Sequence, residues 1–91
     1  MGKSLFGLAF GEAALKYLDR MPPGKIRAQV AKKAKALIYD PHPAGSEKVA
    51  GLEYVNEPVW RVYCGDYRIL YVIREIEVVV LDIAKREDMD K

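Results

Sequence analysis

The chain has 91 residues, of which 51% are hydrophobic and 31% are charged, and its formal net charge is +2. This length and composition fit a single compact domain over residues 1–91. The apolar runs are far shorter than the ~20 residues that span a bilayer, so we expect a cytoplasmic protein with no membrane segment and no leader peptide.

The residue types used in metal, disulfide and nucleophilic sites are scarce. Cys64 is the single cysteine and His42 the single histidine of the sequence. One cysteine cannot form an internal disulfide or a cysteine-based metal site, and we interpret it as a small core residue. We therefore expect no metal and no cofactor.

The first half of the chain predicts a strand followed by two helices. The apolar segment from Ser4 to Phe10 favours a strand, and helical spacing of apolar residues from Glu12 to Met21 indicates a helix that ends at "PPG". A second helix is predicted from about Lys25 to Tyr39. Its lysine-rich side could bind RNA, but a solvated helix face is the more common meaning of such a pattern.

The second half predicts strands. In "VWRVYCGDYRILYVI", Val59 to Ile73, the Gly65-Asp66 pair is typical of a type II′ hairpin turn. A β-branched run from about Glu77 to Ala84 indicates a further strand. The fold class is therefore α+β, in the order β-α-α-β-β-β, with a helical hairpin on one face of a small, mainly antiparallel sheet.

The predicted hairpin register separates its side chains into two faces. Tyr63 lies opposite Arg68, so Arg61, Tyr63 and Arg68 share one face. The other face carries residues that suit a core, namely Trp60, Val62, Tyr67, Ile69 and Tyr71. A surface alternative also exists, in which Arg61 and Arg68 form ordinary ion pairs with Glu53 or Glu57.

The element order and three motifs together resemble the RelE/ParE toxin family of toxin-antitoxin systems. The motifs are "KVAGLE", "WRVYCGDYRILY" and "VVVLDIAKRE". This resemblance implies a toxin held silent by a cognate antitoxin, with operator DNA bound only through the antitoxin complex. In one branch of the family such toxins cleave mRNA on the ribosome, and in the other they inhibit DNA gyrase.

The resemblance also implies roles for individual residues. Arg61, Arg68 and Arg86 would stabilise the charge on the scissile phosphate, because guanidinium groups bind phosphate oxygens in a fork. Lys85 matches the basic residue beside that last arginine, and Lys48 matches one that contacts ribosomal RNA. Arg61 and Lys85 would also contact RNA.

The resemblance does not assign the general base. The family's C-terminal tyrosine is missing, and the candidates in its place are Tyr63, Tyr71, Asp88, Asp90 or a nucleotide of the ribosome. An ordinary tyrosine is a poor base at neutral pH unless cations lie beside it. The leading hypothesis is a ribosome-dependent mRNA endoribonuclease, and the alternatives are a non-enzymatic gyrase inhibitor and a catalytically degenerate toxin.

Overall fold

The computed structural model describes residues 5–86. Two helices and five strands follow one another along the chain. They are β1 (Gly7–Phe10), α1 (Glu12–Arg20), α2 (Lys25–Ala36), β2 (Glu47–Tyr54), β3 (Glu57–Cys64), β4 (Tyr67–Arg74) and β5 (Glu77–Lys85). The predicted α+β class with a helical hairpin on a sheet is confirmed. The sheet has one strand more than predicted, because the segment that leads into the hairpin forms β2.

The five strands form one mixed sheet in the order β1-β5-β4-β3-β2. Neighbouring strands from β2 to β5 are antiparallel, whereas β1 pairs parallel with β5. A parallel pair needs a long crossover, and here the helices and the antiparallel strands supply it. No helix in the described part of the chain is long and apolar enough to cross a bilayer.

The end of α1 and the start of α2 follow from local chemistry. Helix α1 ends at Arg20 because Pro22 and Pro23 cannot continue it. Gly24 then adopts a φ of 148°, which is strained for any residue with a side chain, and α2 starts at the next residue. Helix α2 is shorter than predicted and ends at Ala36. Ser4, the predicted start of the first strand, lies outside the described residues.

The core lies between the helices and one face of the sheet, which we call the covered face. The helices contribute Ala14, Met21, Val30, Ala34 and Leu37, and the strands contribute Val62, Ile69, Tyr71, Val78, Val80 and Ile83. Trp60 and Tyr67 are half-buried against this cluster, as the hairpin register predicts. The opposite side of the sheet is called the open face.

The β3–β4 hairpin has the predicted register. Tyr63 pairs with Arg68, Cys64 with Tyr67, and Arg61 with Leu70. Gly65 has a φ of 59°, whereas Asp66 does not adopt a positive φ. A positive φ at the first turn residue alone defines the type II′ turn, so that prediction is confirmed.

The covered face also holds the loop that precedes β2. The Tyr71 hydroxyl donates a hydrogen bond of 2.7 Å to the Pro41 carbonyl, and the His42 ring packs edge-on against Trp60 at 4.5 Å. Burial is the main cause that raises the pKa of Tyr71, the nearby Asp40 carboxylate raises it further, and a hydrogen bond with Ser46 lowers it. Tyr71 is therefore a structural tyrosine that fastens this loop to the core.

Candidate functional site

Four side chains meet on the open face, and they are called the arginine cluster: Arg61, Tyr63, Arg68 and Arg86. The central carbons of the three guanidinium groups lie 5.7, 5.6 and 4.3 Å from the Tyr63 ring centroid, in that order. These distances are within the range of cation–π attraction. Three positively charged guanidinium groups therefore lie around the Tyr63 ring.

Adjacent strands place the cluster. Arg61 and Tyr63 are two residues apart on β3 and so point to the same side, and Arg68 is the register partner of Tyr63 on β4. The Arg68 guanidinium donates to the Tyr63 hydroxyl at 3.5 Å. Arg86 follows β5, and its backbone N–H donates to the Asp66 carbonyl at 2.9 Å, which fixes the end of β5 at the hairpin turn.

Arg61 also has an acidic neighbour. Its guanidinium forms an ion pair with Glu47, which lies directly opposite it on β2. The predicted alternative partners were Glu53 and Glu57, and for Arg61 this is wrong, because Glu53 pairs with Pro58 and Glu57 with Tyr54 in the ladder. The cause is an irregular segment of β2, where four residues bulge opposite Val59.

The two predicted lysines do not join the arginine cluster. Lys85 is the register partner of Tyr67, and Lys48 is the register partner of Trp60, so both belong to the covered face of the sheet. Both are exposed. Lys85 lines a surface depression with Ile26, Asp66 and Arg86 near the tip of the helical hairpin.

The candidate bases are also separated by the fold. Tyr71 lies buried on the covered face, with its hydroxyl committed to the Pro41 carbonyl, so it does not reach the cluster. Tyr63 lies at the centre of the cluster. Asp88 and Asp90 are outside the described residues.

Sequence reasoning missed one feature of the site. A shallow cavity of about 260 Å³ opens beside the arginine cluster and is lined by Val49, Leu52, Arg61, Arg68, Leu70 and Asp82. Val59 and Val72, which face the same side of the sheet, are almost fully buried. The alternation of side chains in "DYRILYVI" could have shown that Leu70 lies on the same face as Arg68. The contribution of Val49 and Leu52 from β2 could not be predicted from the sequence.

Comparison with known proteins agrees with this architecture. Two helices on one face of a mixed sheet make this a small α+β protein with a RelE-like fold, and the family match and a similar solved structure given below place it in the RelE/ParE toxin superfamily. A family model described as "ParE toxin of type II toxin-antitoxin system, parDE" matches residues 8–89. The chain belongs to this toxin family.

Solved structures support the fold. The archaeal RelE-RelB complex from Pyrococcus horikoshii OT3 is similar with a TM-score of 0.73 at 20% identity, covering 90% of this chain and 96% of that chain. The toxin-antitoxin complex RelBE2 from Mycobacterium tuberculosis is similar with a TM-score of 0.72 at 26% identity, covering 91% of this chain and 93% of that chain. A mutant of the E. coli toxin RelE in the free state is similar with a TM-score of 0.67 at 23% identity, covering 94% of this chain and 88% of that chain. A search of curated proteins gave no significant match.

Proposed function

We propose that this toxin is a ribosome-dependent mRNA endoribonuclease that acts in the cytoplasm and is neutralised by a cognate antitoxin. The observation that carries the proposal is the arginine cluster, in which three guanidinium groups surround one tyrosine on the open face. The similar structures from Pyrococcus horikoshii and Mycobacterium tuberculosis are toxin-antitoxin complexes, which supports the antitoxin as a partner. Operator DNA would be bound only through that complex.

The cluster suits the charge changes of RNA cleavage. When a ribose 2′-hydroxyl attacks the adjacent phosphorus, the phosphorane carries additional negative charge, and the bond to the 5′-oxygen then breaks to leave a 2′,3′-cyclic phosphate. Arg61, Arg68 and Arg86 would stabilise that charge through fixed, forked donors. The fixed positions matter because donors that are already oriented do not have to reorganise during the reaction.

Proton transfer is assigned to Tyr63 in this proposal. Guanidinium groups stay charged at neutral pH, so Tyr63 is the member of the cluster whose side chain can both accept and donate a proton. The phenolate form of Tyr63, or a ribosomal nucleotide, would take the proton from the 2′-hydroxyl, and a ribosomal nucleotide or a water molecule would donate the proton that the 5′-oxygen takes up as it leaves. Lys48 and Lys85, on the other face, would contact ribosomal RNA rather than the scissile phosphate.

A second candidate function is inhibition of DNA gyrase. The observation that favours it is the family model itself, which is that of a ParE toxin. In this alternative the open face would be a binding surface, and the arginines would contact protein or DNA without cleaving a bond.

The experiment compares both activities in purified systems. The full-length chain is added to ribosomes programmed with a defined mRNA, and cleavage is mapped by primer extension; in parallel, gyrase supercoiling is measured. Arg74→Ala is the matched control, because Arg74 lies exposed near the far end of the strand that carries Arg68. The proposal requires ribosome-dependent breaks that Arg68→Ala abolishes and Arg74→Ala preserves. Intact mRNA with impaired supercoiling would establish the gyrase alternative instead.

A further inference from the structure

A row of four side chains crosses the open face from β2 to β5. Glu47 pairs with Arg61, Arg61 with Leu70, and Leu70 with Asp82. Because neighbouring strands lie about 4.8 Å apart, the Cα atoms of Arg61 and Asp82 are separated by roughly 10 Å, with Leu70 between them. The row therefore presents a cation and a carboxylate on either side of an apolar floor.

This row runs through the shallow cavity of about 260 Å³ described above. Val49, Leu52 and Leu70 provide apolar surface, Arg61 and Arg68 provide positive charge, and Asp82 closes the β5 side. The volume is slightly below the roughly 300 Å³ at which small-molecule pockets begin. A flat, partly apolar group of the size of one nucleobase fits such a site.

Asp82 is held in a defined orientation. Its Oδ1 accepts a hydrogen bond of 2.9 Å from the Ile83 backbone N–H, and the side chain is half-buried. The ion pair of Arg61 is made with Glu47 and not with Asp82. The Asp82 carboxylate therefore keeps acceptor capacity toward the cavity, since an ionised carboxylate has about four lone-pair sites.

A carboxylate is unexpected in a phosphate-binding site, because it repels the phosphate. It is expected where a hydrogen-bond donor must be recognised. Among the four RNA bases, guanine presents two adjacent donors, N1–H and the N2 amino group, on its Watson–Crick edge, and adenine, cytosine and uracil each present one donor beside acceptors. A carboxylate accepts both guanine donors and cannot donate to any acceptor.

We propose that Asp82 makes this cavity selective for guanine. The base would lie over Leu70, with its Watson–Crick edge toward Asp82 and its phosphate toward Arg61 and Arg68. Single-stranded RNA is commonly recognised in this manner, with an unstacked base held by apolar or guanidinium surfaces and read along its edge. The inference rests on the proposed ribonuclease function for its biological meaning, but the guanine site itself can be measured without cleavage.

The first test uses cleavage. Four mRNAs that differ only in the base beside the cut site are compared on ribosomes, with the wild-type chain, Asp82→Asn and the control Glu53→Gln, a carboxylate-to-amide change at an exposed position of the covered face. We expect a guanine preference of roughly tenfold or more, lost in Asp82→Asn and kept in Glu53→Gln. Because an amide offers a donor and an acceptor, Asp82→Asn should also gain activity at adenine. A wild type without guanine preference, or an Asp82→Asn that retains it, overturns the inference.

The second test separates this inference from the proposed function. Guanosine 3′-monophosphate and adenosine 3′-monophosphate are titrated into the free chain, and the methyl signals of Leu70 are followed by NMR. Guanine-selective shifts at Leu70 that disappear in Asp82→Asn, with an unchanged melting curve, support the site even if the chain cleaves no RNA. Equal shifts with both nucleotides, or none with either, overturn the guanine site whatever the outcome of the cleavage assay.

Discussion

Arg68, on β4, and Arg86, which directly follows β5, both place their guanidinium groups near the Tyr63 ring. Replacing either with Ala removes a forked, charged donor and should slow RNA cleavage by about 100-fold or more. Lysine should restore only part of the activity, because its charge is a point rather than a planar fork. Arg86 is exposed, so Arg86→Ala should change the free energy of unfolding by only about 0.5 kcal/mol, whereas Arg68 is half-buried and Arg68→Ala should cost about 1 kcal/mol while the protein stays folded.

Single-turnover cleavage on ribosomes and thermal unfolding measure these two effects independently. Arg74→Ala again serves as the control for removing a positive charge from β4. Full activity in Arg68→Ala and Arg86→Ala, or their failure to fold, would assign the arginines to the stability of the sheet.

Tyr63 combines two functions that substitution can separate. Tyr63→Phe keeps the ring that attracts the guanidinium groups but removes the hydroxyl, whereas Tyr63→Ala removes both. If the hydroxyl transfers a proton, Tyr63→Phe should lower the rate of the chemical step by about 100-fold or more with little change in RNA affinity. Single-turnover rates at saturating ribosome concentration measure that step. Wild-type rates in Tyr63→Phe would show that another group, such as a nucleotide of the ribosome, acts as the general base.

At the scale of elements, the turn between β2 and β3 carries a strained residue. Val55 and Asn56 have φ angles of 51° and 67°, and positive φ at both positions defines a type I′ turn. This conformation is unfavourable for a β-branched residue and costs about 1–3 kcal/mol. Val55 is 53% exposed, so little packing offsets the cost.

Val55→Asn should therefore stabilise the protein by about 1 kcal/mol, because Asn tolerates this conformation. The melting temperature should rise by about 4–8 °C for a domain of this size. Ile76→Asn is the matched control, since Ile76 is an exposed turn residue without positive φ, and it should bring no gain. Equal effects of the two substitutions would show that removing an exposed apolar side chain, and not relief of strain, is responsible.

The elements also show how far the sequence alone predicts this molecule. The β3–β4 hairpin was predictable to the residue pair, because its two-residue turn fixes the register and the register fixes the faces. Strand β2 was not, because "EKVAGLEY" does not alternate and four of its residues bulge opposite Val59. The partner of Arg61 and the cavity near Asp82 both depend on β2, so neither could be derived. The covered-face position of Lys85 depends on pairing between β4 and β5 that the sequence does not specify.

For the whole molecule, the buried Tyr71 links stability to alkaline pH. Its raised pKa in the folded state means that the unfolded chain releases this proton first, at a pH of about 10. The contribution of Tyr71 to stability is therefore complete below that pH and is lost as the pH rises toward its pKa in the folded protein. Urea unfolding between pH 8 and 11 should show a steeper decline for the wild type than for Tyr71→Phe.

The same substitution should cost about 1 kcal/mol at neutral pH, because the Pro41 carbonyl loses its donor. Tyr39→Phe, at an exposed tyrosine, is the control that should retain the wild-type pH profile. Parallel pH profiles for the wild type and Tyr71→Phe would contradict the role given to burial.

The pairing of β1 with β5 bears on how the chain emerges during its own synthesis. Within the described residues β1 has a single neighbour, and that neighbour is the last strand to be made. The first strand therefore has no partner in the sheet until β5 has left the ribosome, and pairing over such a distance along the chain is slow. Arg86 follows β5, so it meets Tyr63 only at this final stage. A chain whose synthesis stops before β5 is complete thus lacks the Arg86 member of the cluster.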